Sequence, residues 1–375
     1  MEQVTSKEFI NGATAICRGA IDAGCNFFTG YPITPASGIL AFMMKHLPAY
    51  DGICLQGEDE IASIGMCLAA AMAGKRVMTA TSGPGLSLYS ENIGLAIMGE
   101  VPMVIVNVQR YGPATGAATT GAEGDVQFVQ WVTSGGIPMV VLSPVDLPTT
   151  YRLTTLAFQI SEKLRIPVIL NSSKDLVMTS ETVDTKLFQK EKVVPRKIYE
   201  GKKNYSPYFF KNCEDVPDFL PIGANQQVRF TTSMHDENAV LTKDPEKMGR
   251  LFKHLAQKIL ARQKELEFYD LDTNDNAKTV IIATGVSARI ARSVVQKAKD
   301  KGKDVDLLCL YTLWPIPKNI ILKAAQNKDR ILVPEHNLGL YLRELERFLP
   351  KEKLVGISRV DGNLITEESL LKEIL

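Results

Sequence analysis

Short apolar segments alternate with helix-like segments over the first 175 residues, and this alternation limits the possible folds most strongly. Strands are predicted at 26–30, 76–80, 103–108, 138–142 and 167–171, and helices at 12–23, 36–46, 60–73, 86–98 and 147–163. Continuous apolar strands that alternate with helices are typical of a parallel sheet covered on both faces. We therefore expect an α/β first domain, residues 1–175, built on a doubly wound, mostly parallel sheet.

The alternation stops after residue 175 and returns near residue 279. Residues 176–276 are rich in lysine, glutamate and turn residues and include one amphipathic helix, predicted at 244–266. This segment is predicted to be an irregular connector, which is either a solvated linker or an arm that contacts another subunit. The last part, 277–375, repeats the strand–helix pattern, with one strand expected over 304–315, and is predicted to be a smaller α/β domain.

Charge and cysteine content exclude several classes of protein. The net charge is +1, and no long basic run is present, so a nucleic-acid partner is not expected. No apolar stretch approaches the roughly 18 residues of a membrane span. The 6 cysteines form no CxxC pair, which favours a reduced, cytoplasmic protein without a disulfide framework. For the same reason we expect no metal site built by this chain alone.

The sequence GYPITPAS, residues 30–37, follows a predicted strand and precedes a predicted helix. Ligands of open α/β sheets bind at the carboxyl ends of strands. Pro32 and Pro35 restrict the backbone on both sides of Thr34, so the Thr34 hydroxyl is expected to be held at the strand end. Ser37 is a candidate cap for the next helix. A rigid turn with capping hydroxyls explains the same pattern without a ligand.

Three acidic residues, Glu58, Asp59 and Glu60, open a helix that is otherwise made of small apolar residues. Acids at a helix N-terminus complement the helix dipole, which accounts for Glu58 and Asp59. Glu60 directly adjoins the apolar run, so we expect it to be partly buried. A carboxylate partly removed from water is suited to proton transfer. A solvated cap remains the alternative for Glu60.

Two further motifs occupy strand-to-helix junctions. TSGPG, residues 81–85, is a glycine-rich turn that opens a helix, and Gly83 and Gly85 there would let backbone N–H groups approach a ligand. Arg110 follows a strand and precedes a loop of small residues, 111–125. Its planar guanidinium suits a carboxylate ligand, although a surface ion pair is the alternative. All these motifs would meet at one edge of the sheet.

GYPITPAS, QGEDEIASIG, TSGPGLSL, and VQRYGPATG followed by EGD resemble the alpha subunit of 2-oxoacid:ferredoxin oxidoreductases. TLWPIP and VPEHNLGLYLRELE resemble the second domain of that subunit. The resemblance implies that residues 1–175 are a thiamine diphosphate pyrimidine-binding domain and that 277–375 are a transketolase-C-like domain. It also implies CoA-dependent oxidative decarboxylation of a 2-oxoacid with electron transfer to ferredoxin. The nearest branch suggests reversible conversion of 2-oxoglutarate to succinyl-CoA.

The resemblance assigns roles to individual residues. Thr34 would hydrogen-bond the 2-oxoacid, and Arg110 would bind its carboxylate. Glu60 would contact the aminopyrimidine ring of thiamine diphosphate and favour its imino tautomer, with Glu58 as the rival for this role. The cofactor-binding positions that the resemblance implies are Tyr31, Pro32, Ile33, Glu60, Gly83 and Gly85.

The resemblance also implies partners. The sequence agrees with this, because it lacks the metal–diphosphate motif and cluster-forming cysteines. A separate beta subunit would hold the diphosphate, Mg²⁺ and a [4Fe-4S] cluster. Gamma and ferredoxin-like delta subunits are expected, with ferredoxin as electron carrier and coenzyme A as co-substrate. The alternatives from other classes are a non-catalytic scaffold subunit and a self-contained transketolase-like enzyme.

The loop after Arg110 departs from the family pattern. The family commonly has Pro-Thr-Arg or Pro-Thr-Lys and then Gln, whereas this chain has Ala118, Thr120 and Glu123 at those places. A basic residue close to the expected substrate site is therefore missing. If that residue steadies a second carboxylate, a branched-chain or aryl 2-oxoacid becomes the alternative substrate.

Overall fold

The computed structural model describes residues 6–201, 204–274 and 276–375. Residues 1–5 of the predicted first domain and residues 202, 203 and 275 of the predicted connector lie outside the described part. The described residues form three sheets, of two, five and seven strands. None of the described helices is both long enough and apolar enough to cross a bilayer.

Fourteen strands and eleven α-helices are present in the described residues. The strands are β1 Lys7–Asn11, β2 Phe27–Gly30, β3 Ile53–Gln56, β4 Val77–Thr81, β5 Met103–Gln109, β6 Val140–Leu142, β7 Pro167–Ser173, β8 Ser180–Asp184, β9 Tyr269–Asp272, β10 Thr279–Ala283, β11 Val305–Leu310, β12 Thr312–Trp314, β13 Arg330–Glu335 and β14 Leu354–Ser358. The helices are α1 Gly12–Asp22, α2 Ser37–His46, α3 Glu60–Met72, α4 Gly83–Met98, α5 Leu147–Leu164, α6 Lys174–Met178, α7 Pro245–Leu260, α8 Gly285–Asp300, α9 Lys318–Ala325, α10 Leu340–Leu345 and α11 Glu367–Lys372.

The seven-stranded sheet has the order β12-β6-β7-β5-β4-β2-β3. All neighbours in it are parallel except β12, which pairs antiparallel with β6. Every residue of β2, β4, β5 and β7 is buried, which explains their continuous apolar sequences. The expected doubly wound, mostly parallel sheet is confirmed. The carboxyl ends of β2, β3, β4, β5 and β7 lie along one edge of this sheet.

Helices cover the seven-stranded sheet on both faces. Val104 and Val106 of β5 belong to the core that contains α1, α2 and α5. Met103 and Ile105, which alternate with those valines, belong to the core that contains α3 and α4. This alternation is what a parallel strand buried on both faces requires.

The second sheet is formed by the C-terminal part of the chain in the order β14-β13-β10-β11-β9. The expectation of one strand over 304–315 is wrong. The chain leaves this sheet at Tyr311, and Thr312–Trp314 joins the edge of the seven-stranded sheet beside β6. Trp314 is buried there, and its indole N–H donates to the Val126 carbonyl at 2.8 Å. The chain changes sheets here because β6 offers an unpaired edge for hydrogen bonding and because Trp314 becomes buried when β12 joins that edge.

The segment between the two sheets is attached by buried ion pairs. Lys258 of α7 donates to Glu100 at 2.6 Å, and both side chains are buried. Arg196 pairs with the buried Glu162 of α5 at 2.7 Å. Removing one partner of such a pair leaves an uncompensated buried charge, so these contacts hold the segment against the first sheet. The boundaries at 175 and 276 remain predictions.

Candidate active site

Glu60 is held at the start of α3 beside the carboxyl end of β4. The helix begins at this residue because the Asp59 side chain accepts a hydrogen bond from the Ala62 N–H at 2.7 Å. Glu60 is 7% exposed, whereas Glu58 is exposed. Within the described part of the chain, the Glu60 carboxylate accepts no hydrogen bond. Its carboxylate oxygens are not among the fully enclosed unpaired atoms of the described residues, so the small exposed part of Glu60 includes its carboxylate. A carboxylate that is open and has no donor partner can accept a hydrogen bond from a ligand.

The glycine turn at the start of α4 packs directly on Glu60. A Cβ atom at Gly85 would lie 2.7 Å from Glu60 Oε1 and would also collide with the Thr81 hydroxyl. Gly83 is the first residue of α4, and a Cβ there would lie 3.3 Å from Asp125 Oδ2. The glycines therefore let α4 begin close to two carboxyl groups, as a close backbone approach requires.

Arg110 and Thr34 are in direct contact. The Arg110 guanidinium donates to the Thr34 carbonyl at 2.5 Å, across 76 residues of sequence. Arg110 is 8% exposed, and its Nε–H has no partner in the described residues. Thr34 is partly buried, and its hydroxyl makes no hydrogen bond with a described residue. This pair therefore keeps two donors available to an oxygen-rich ligand.

The turn from β2 to α2 carries the other candidate residues of GYPITPAS. Tyr31 is 36% exposed, Pro32 is exposed, and Ile33 is half-buried against the core. The Thr34–Pro35 peptide bond is cis. The expectation that Ser37 caps α2 is wrong: Ala36 occupies the cap position, and no side chain caps this helix.

Asp125 and Asn107 were not identified from the sequence as site residues. Asn107 of β5 donates to Asp125 Oδ2 at 2.9 Å, and the Gln109 side chain accepts from the Asp125 N–H at 3.0 Å. Burial raises the pKa of Asp125, while Asn107 and the nearby positive charge of Arg110 partly lower it. An asparagine inside an otherwise apolar strand, MVIVNVQ, was the available sequence signal.

Several buried polar atoms at this edge lack hydrogen-bond partners among the described residues. They are the Ser82 Oγ, Asn107 Oδ1, Arg110 Nε, Asn171 Nδ2 and Ser172 Oγ atoms. Most buried polar groups in folded proteins are satisfied, so this concentration is the expected property of a site for a polar ligand. The structure thus brings Thr34, Glu60, Gly83, Gly85 and Arg110 to one edge.

Glu123 connects the loop after Arg110 to the C-terminal part of the chain. Its carboxyl group accepts from the Val286 N–H at the start of α8 at 3.2 Å, and its own N–H donates to the His336 carbonyl. A Cβ atom at Gly285 would collide with Glu123. Burial raises the pKa of Glu123 to about 8, assisted by the negative charges of Asp175 and Glu335. A protonated carboxyl at this position has nearly the shape and hydrogen bonds of glutamine.

The raised pKa of Glu123 predicts a pH-dependent stability. Between about pH 4.5 and about pH 8, the folded chain holds a proton on Glu123 that the unfolded chain has released. The free energy of unfolding therefore decreases as the pH rises through this window, by at most about 1.4 kcal/mol per pH unit for one group. In Glu123→Gln, the free energy of unfolding should fall less steeply between about pH 4.5 and about pH 8. Chemical unfolding at several pH values in this range measures the slope. An unchanged slope would contradict this account of Glu123.

Comparisons with known proteins identify the family of the chain. Residues 18–251 match the family model described as pyruvate flavodoxin/ferredoxin oxidoreductase, thiamine diP-bdg. Residues 277–370 match the model described as pyruvate:ferredoxin oxidoreductase core domain II.

Individual relatives cover nearly the whole chain. The 2-oxoglutarate synthase subunit KorA of Methanocaldococcus jannaschii is 35% identical, over 98% of this chain and 99% of that protein. The ketoisovalerate oxidoreductase subunit VorB of Methanothermobacter thermautotrophicus is 32% identical, over 98% of this chain and 97% of that protein.

A solved structure of 2-oxoglutarate:ferredoxin oxidoreductase from Magnetococcus marinus, with 2-oxoglutarate, coenzyme A and succinyl-CoA bound, superimposes with a TM-score of 0.90 at 28% identity. The match covers 100% of this chain and 65% of that chain, so this chain spans about two thirds of it. The resemblance stated from the sequence motifs is confirmed. The chain belongs to the family of 2-oxoacid:ferredoxin oxidoreductase alpha subunits.

Proposed function

We propose that this chain is the alpha subunit of a CoA-acylating 2-oxoacid:ferredoxin oxidoreductase that uses thiamine diphosphate and acts on 2-oxoglutarate. The relatives named 2-oxoglutarate synthase subunit KorA match over nearly their full length, which supports both the reaction and the substrate. The named ketoisovalerate relative is only slightly less similar, so a branched-chain 2-oxoacid is the second candidate substrate.

The single observation that carries the proposal is Glu60, a largely buried residue whose open carboxylate accepts no hydrogen bond from a described residue. Thiamine diphosphate fits this position because its aminopyrimidine ring can supply the hydrogen bond that no described residue makes to Glu60. When bound, thiamine diphosphate supplies the carbanion chemistry that decarboxylation of a 2-oxoacid requires. Glu60 would hold a proton between its carboxyl group and a ring nitrogen of the cofactor. Gly83 and Gly85 would let the ring approach the start of α4.

Arg110 and Thr34 are proposed to orient the 2-oxoacid. The unpartnered Nε–H of Arg110 can donate to the 1-carboxylate of the acid, while the bond from Arg110 to the Thr34 carbonyl fixes the guanidinium. The free hydroxyl of Thr34 can donate to the 2-oxo oxygen. The Arg110 side chain is largely removed from water, which strengthens its interaction with a charged substrate.

A partner subunit is proposed to complete the site. Large apolar side chains are exposed on β3, on the turn after β2 and near the starts of α3 and α4. They are Tyr31, Ile53, Leu55, Ile61 and Leu88, each at least 36% exposed. Strand β3, which carries two of them, is the open edge of the seven-stranded sheet. An open sheet edge with exposed apolar side chains is a candidate for protein–protein contact. A beta subunit with the diphosphate site, Mg²⁺ and the iron–sulfur cluster would cover it, and gamma and delta subunits remain part of the proposal.

The proposed function is tested on the native complex, isolated through this chain without oxygen. We expect CoA-dependent reduction of a viologen dye with 2-oxoglutarate, and slower reduction with pyruvate, 2-oxoisovalerate and an aryl 2-oxoacid. Faster reduction with 2-oxoisovalerate would transfer the assignment to the branched-chain class. No reduction with any 2-oxoacid, in a complex that contains thiamine diphosphate and iron, would contradict the proposal and favour a scaffold role.

A further inference from the structure

Positive charge at the carboxyl edge of the seven-stranded sheet is confined to two neighbouring strands. The residues that directly follow the six parallel strands of this sheet are Tyr31, Gly57, Ser82, Arg110, Ser143 and Lys174. Only Arg110 and Lys174 are basic. The loop that follows Arg110 carries no lysine or arginine from residue 111 to residue 125. Lys174 is therefore the second cation that the strand ends themselves supply.

The register of the sheet brings these two residues side by side. Strands β5 and β7 are parallel neighbours, paired up to Gln109 and Ser173. Arg110 and Lys174 are the next residue of each strand, and helix α6, which begins at Lys174, packs against β5. The backbones of paired strands lie about 4.8 Å apart. The Arg110 guanidinium reaches toward Thr34, on the side of β5 away from β7, so the two charged groups are farther apart than the two backbones. The carboxylate carbons of an extended five-carbon 2-oxo diacid are about 5 Å apart, and a hydrogen bond of about 2.9 Å at each end lets the diacid bridge nitrogen donors roughly 10 Å apart.

The ammonium group of Lys174 has donors to spare. It contacts Asp175 Oδ1 at 3.2 Å, and its side chain is 25% exposed. A lysine ammonium has three donors, and this contact uses one. The Asp175 carboxylate lies against Gly121 in the loop after Arg110, where a Cβ atom would collide with it. The acid therefore orients Lys174 and leaves it able to bind a second anion.

We propose that Lys174 binds the distal carboxylate of a dicarboxylic 2-oxoacid and thereby selects 2-oxoglutarate over monocarboxylic 2-oxoacids. This inference rests on the proposed function, because it assumes that Arg110 binds the 1-carboxylate. It also supplies the cation that the loop after Arg110 lacks. A branched-chain 2-oxoacid has no distal charge, so it gains nothing from Lys174.

The test compares two substrates in the assembled complex. Lys174→Gln should raise KM for 2-oxoglutarate by about tenfold to a hundredfold, the usual effect of losing a bond to a charged group. KM for 2-oxoisovalerate and kcat for both acids should stay within about twofold, because the lost interaction is equal in the ground and transition states. Lys174→Arg should retain most of the preference for 2-oxoglutarate.

Lys45→Gln, which removes an exposed lysine at the far end of α2, is the matched control and should change neither KM. The role of Lys174 would be overturned if Lys174→Gln raised KM equally for both acids, or left KM for 2-oxoglutarate unchanged. Either result applies only to this role if the wild-type complex is active. A wild-type complex that is inactive with all 2-oxoacids would instead overturn the proposed function.

Discussion

Glu60→Gln in the assembled complex should lower kcat by about 10²–10⁴-fold, the usual contribution of a positioned acid–base group. Glutamine has nearly the same shape, so it should fit the position of Glu60 against Gly85 and leave assembly intact. It cannot exchange a proton with the cofactor ring, which is the role proposed for the buried carboxylate. The measurement is CoA-dependent viologen reduction without oxygen, with assembly checked by size-exclusion chromatography.

Glu58→Gln is the matched control for this variant. Glu58 is exposed and lies two residues away, so its substitution should change kcat by less than about twofold. The opposite result, with Glu60→Gln active and Glu58→Gln inactive, would transfer the cofactor contact to Glu58. Full activity of both variants would contradict the proposal that a carboxylate of this segment acts on the cofactor.

Arg110→Lys should lower kcat/KM for 2-oxoglutarate by about 10²–10³-fold, although the charge is kept. Lysine lacks the planar fork that allows a guanidinium to bind a carboxylate and the Thr34 carbonyl together. The loss corresponds to about 3–4 kcal/mol, within the range for breaking a buried, hydrogen-bonded charge contact. Steady-state kinetics with 2-oxoglutarate as the varied substrate measures it.

Arg152→Lys is a suitable control for the arginine substitution. Arg152 of α5 forms a half-exposed ion pair with Glu191 at 2.9 Å, away from the strand ends. Exposed pairs contribute about 0–1 kcal/mol, so this variant should keep nearly all activity. If Arg110→Lys were as active as the Arg152→Lys control, Arg110 would have no direct part in substrate binding.

The sequence predicted the first sheet well because its signals are local. Continuous apolar strands such as 103–108 and 167–171 need burial on both faces, and the structure has β5 and β7 at these positions. The edge strand β3 was not predicted, because its four residues, ICLQ, are mostly exposed and give no burial signal. Residues 312–314 were assigned to the wrong sheet, since local propensity does not specify which edge a strand joins.

The site residues also divide into those with a local sequence signal and those placed by long-range packing. Proline and glycine turns after strands pointed to Thr34, Gly83 and Gly85, and the structure has them at one edge. Asp125 and its bond to Asn107 link residues 18 apart through side chains in a loop and a strand, which no periodic pattern encodes. The contact of Glu123 with the start of α8 spans 163 residues and depends on how the two sheets pack. The functional roles of these residues remain predictions.

The central claim is that this chain forms half of a thiamine diphosphate site. Equilibrium binding of thiamine diphosphate with Mg²⁺, measured on the full isolated chain and on the assembled complex, tests it most directly. We expect no saturable binding to the isolated chain, because its sequence supplies Glu60 and the glycine turn but lacks the metal–diphosphate motif. The complex should bind one thiamine diphosphate per copy of this chain. Tight, stoichiometric binding to the isolated chain would contradict the claim and indicate a self-contained enzyme.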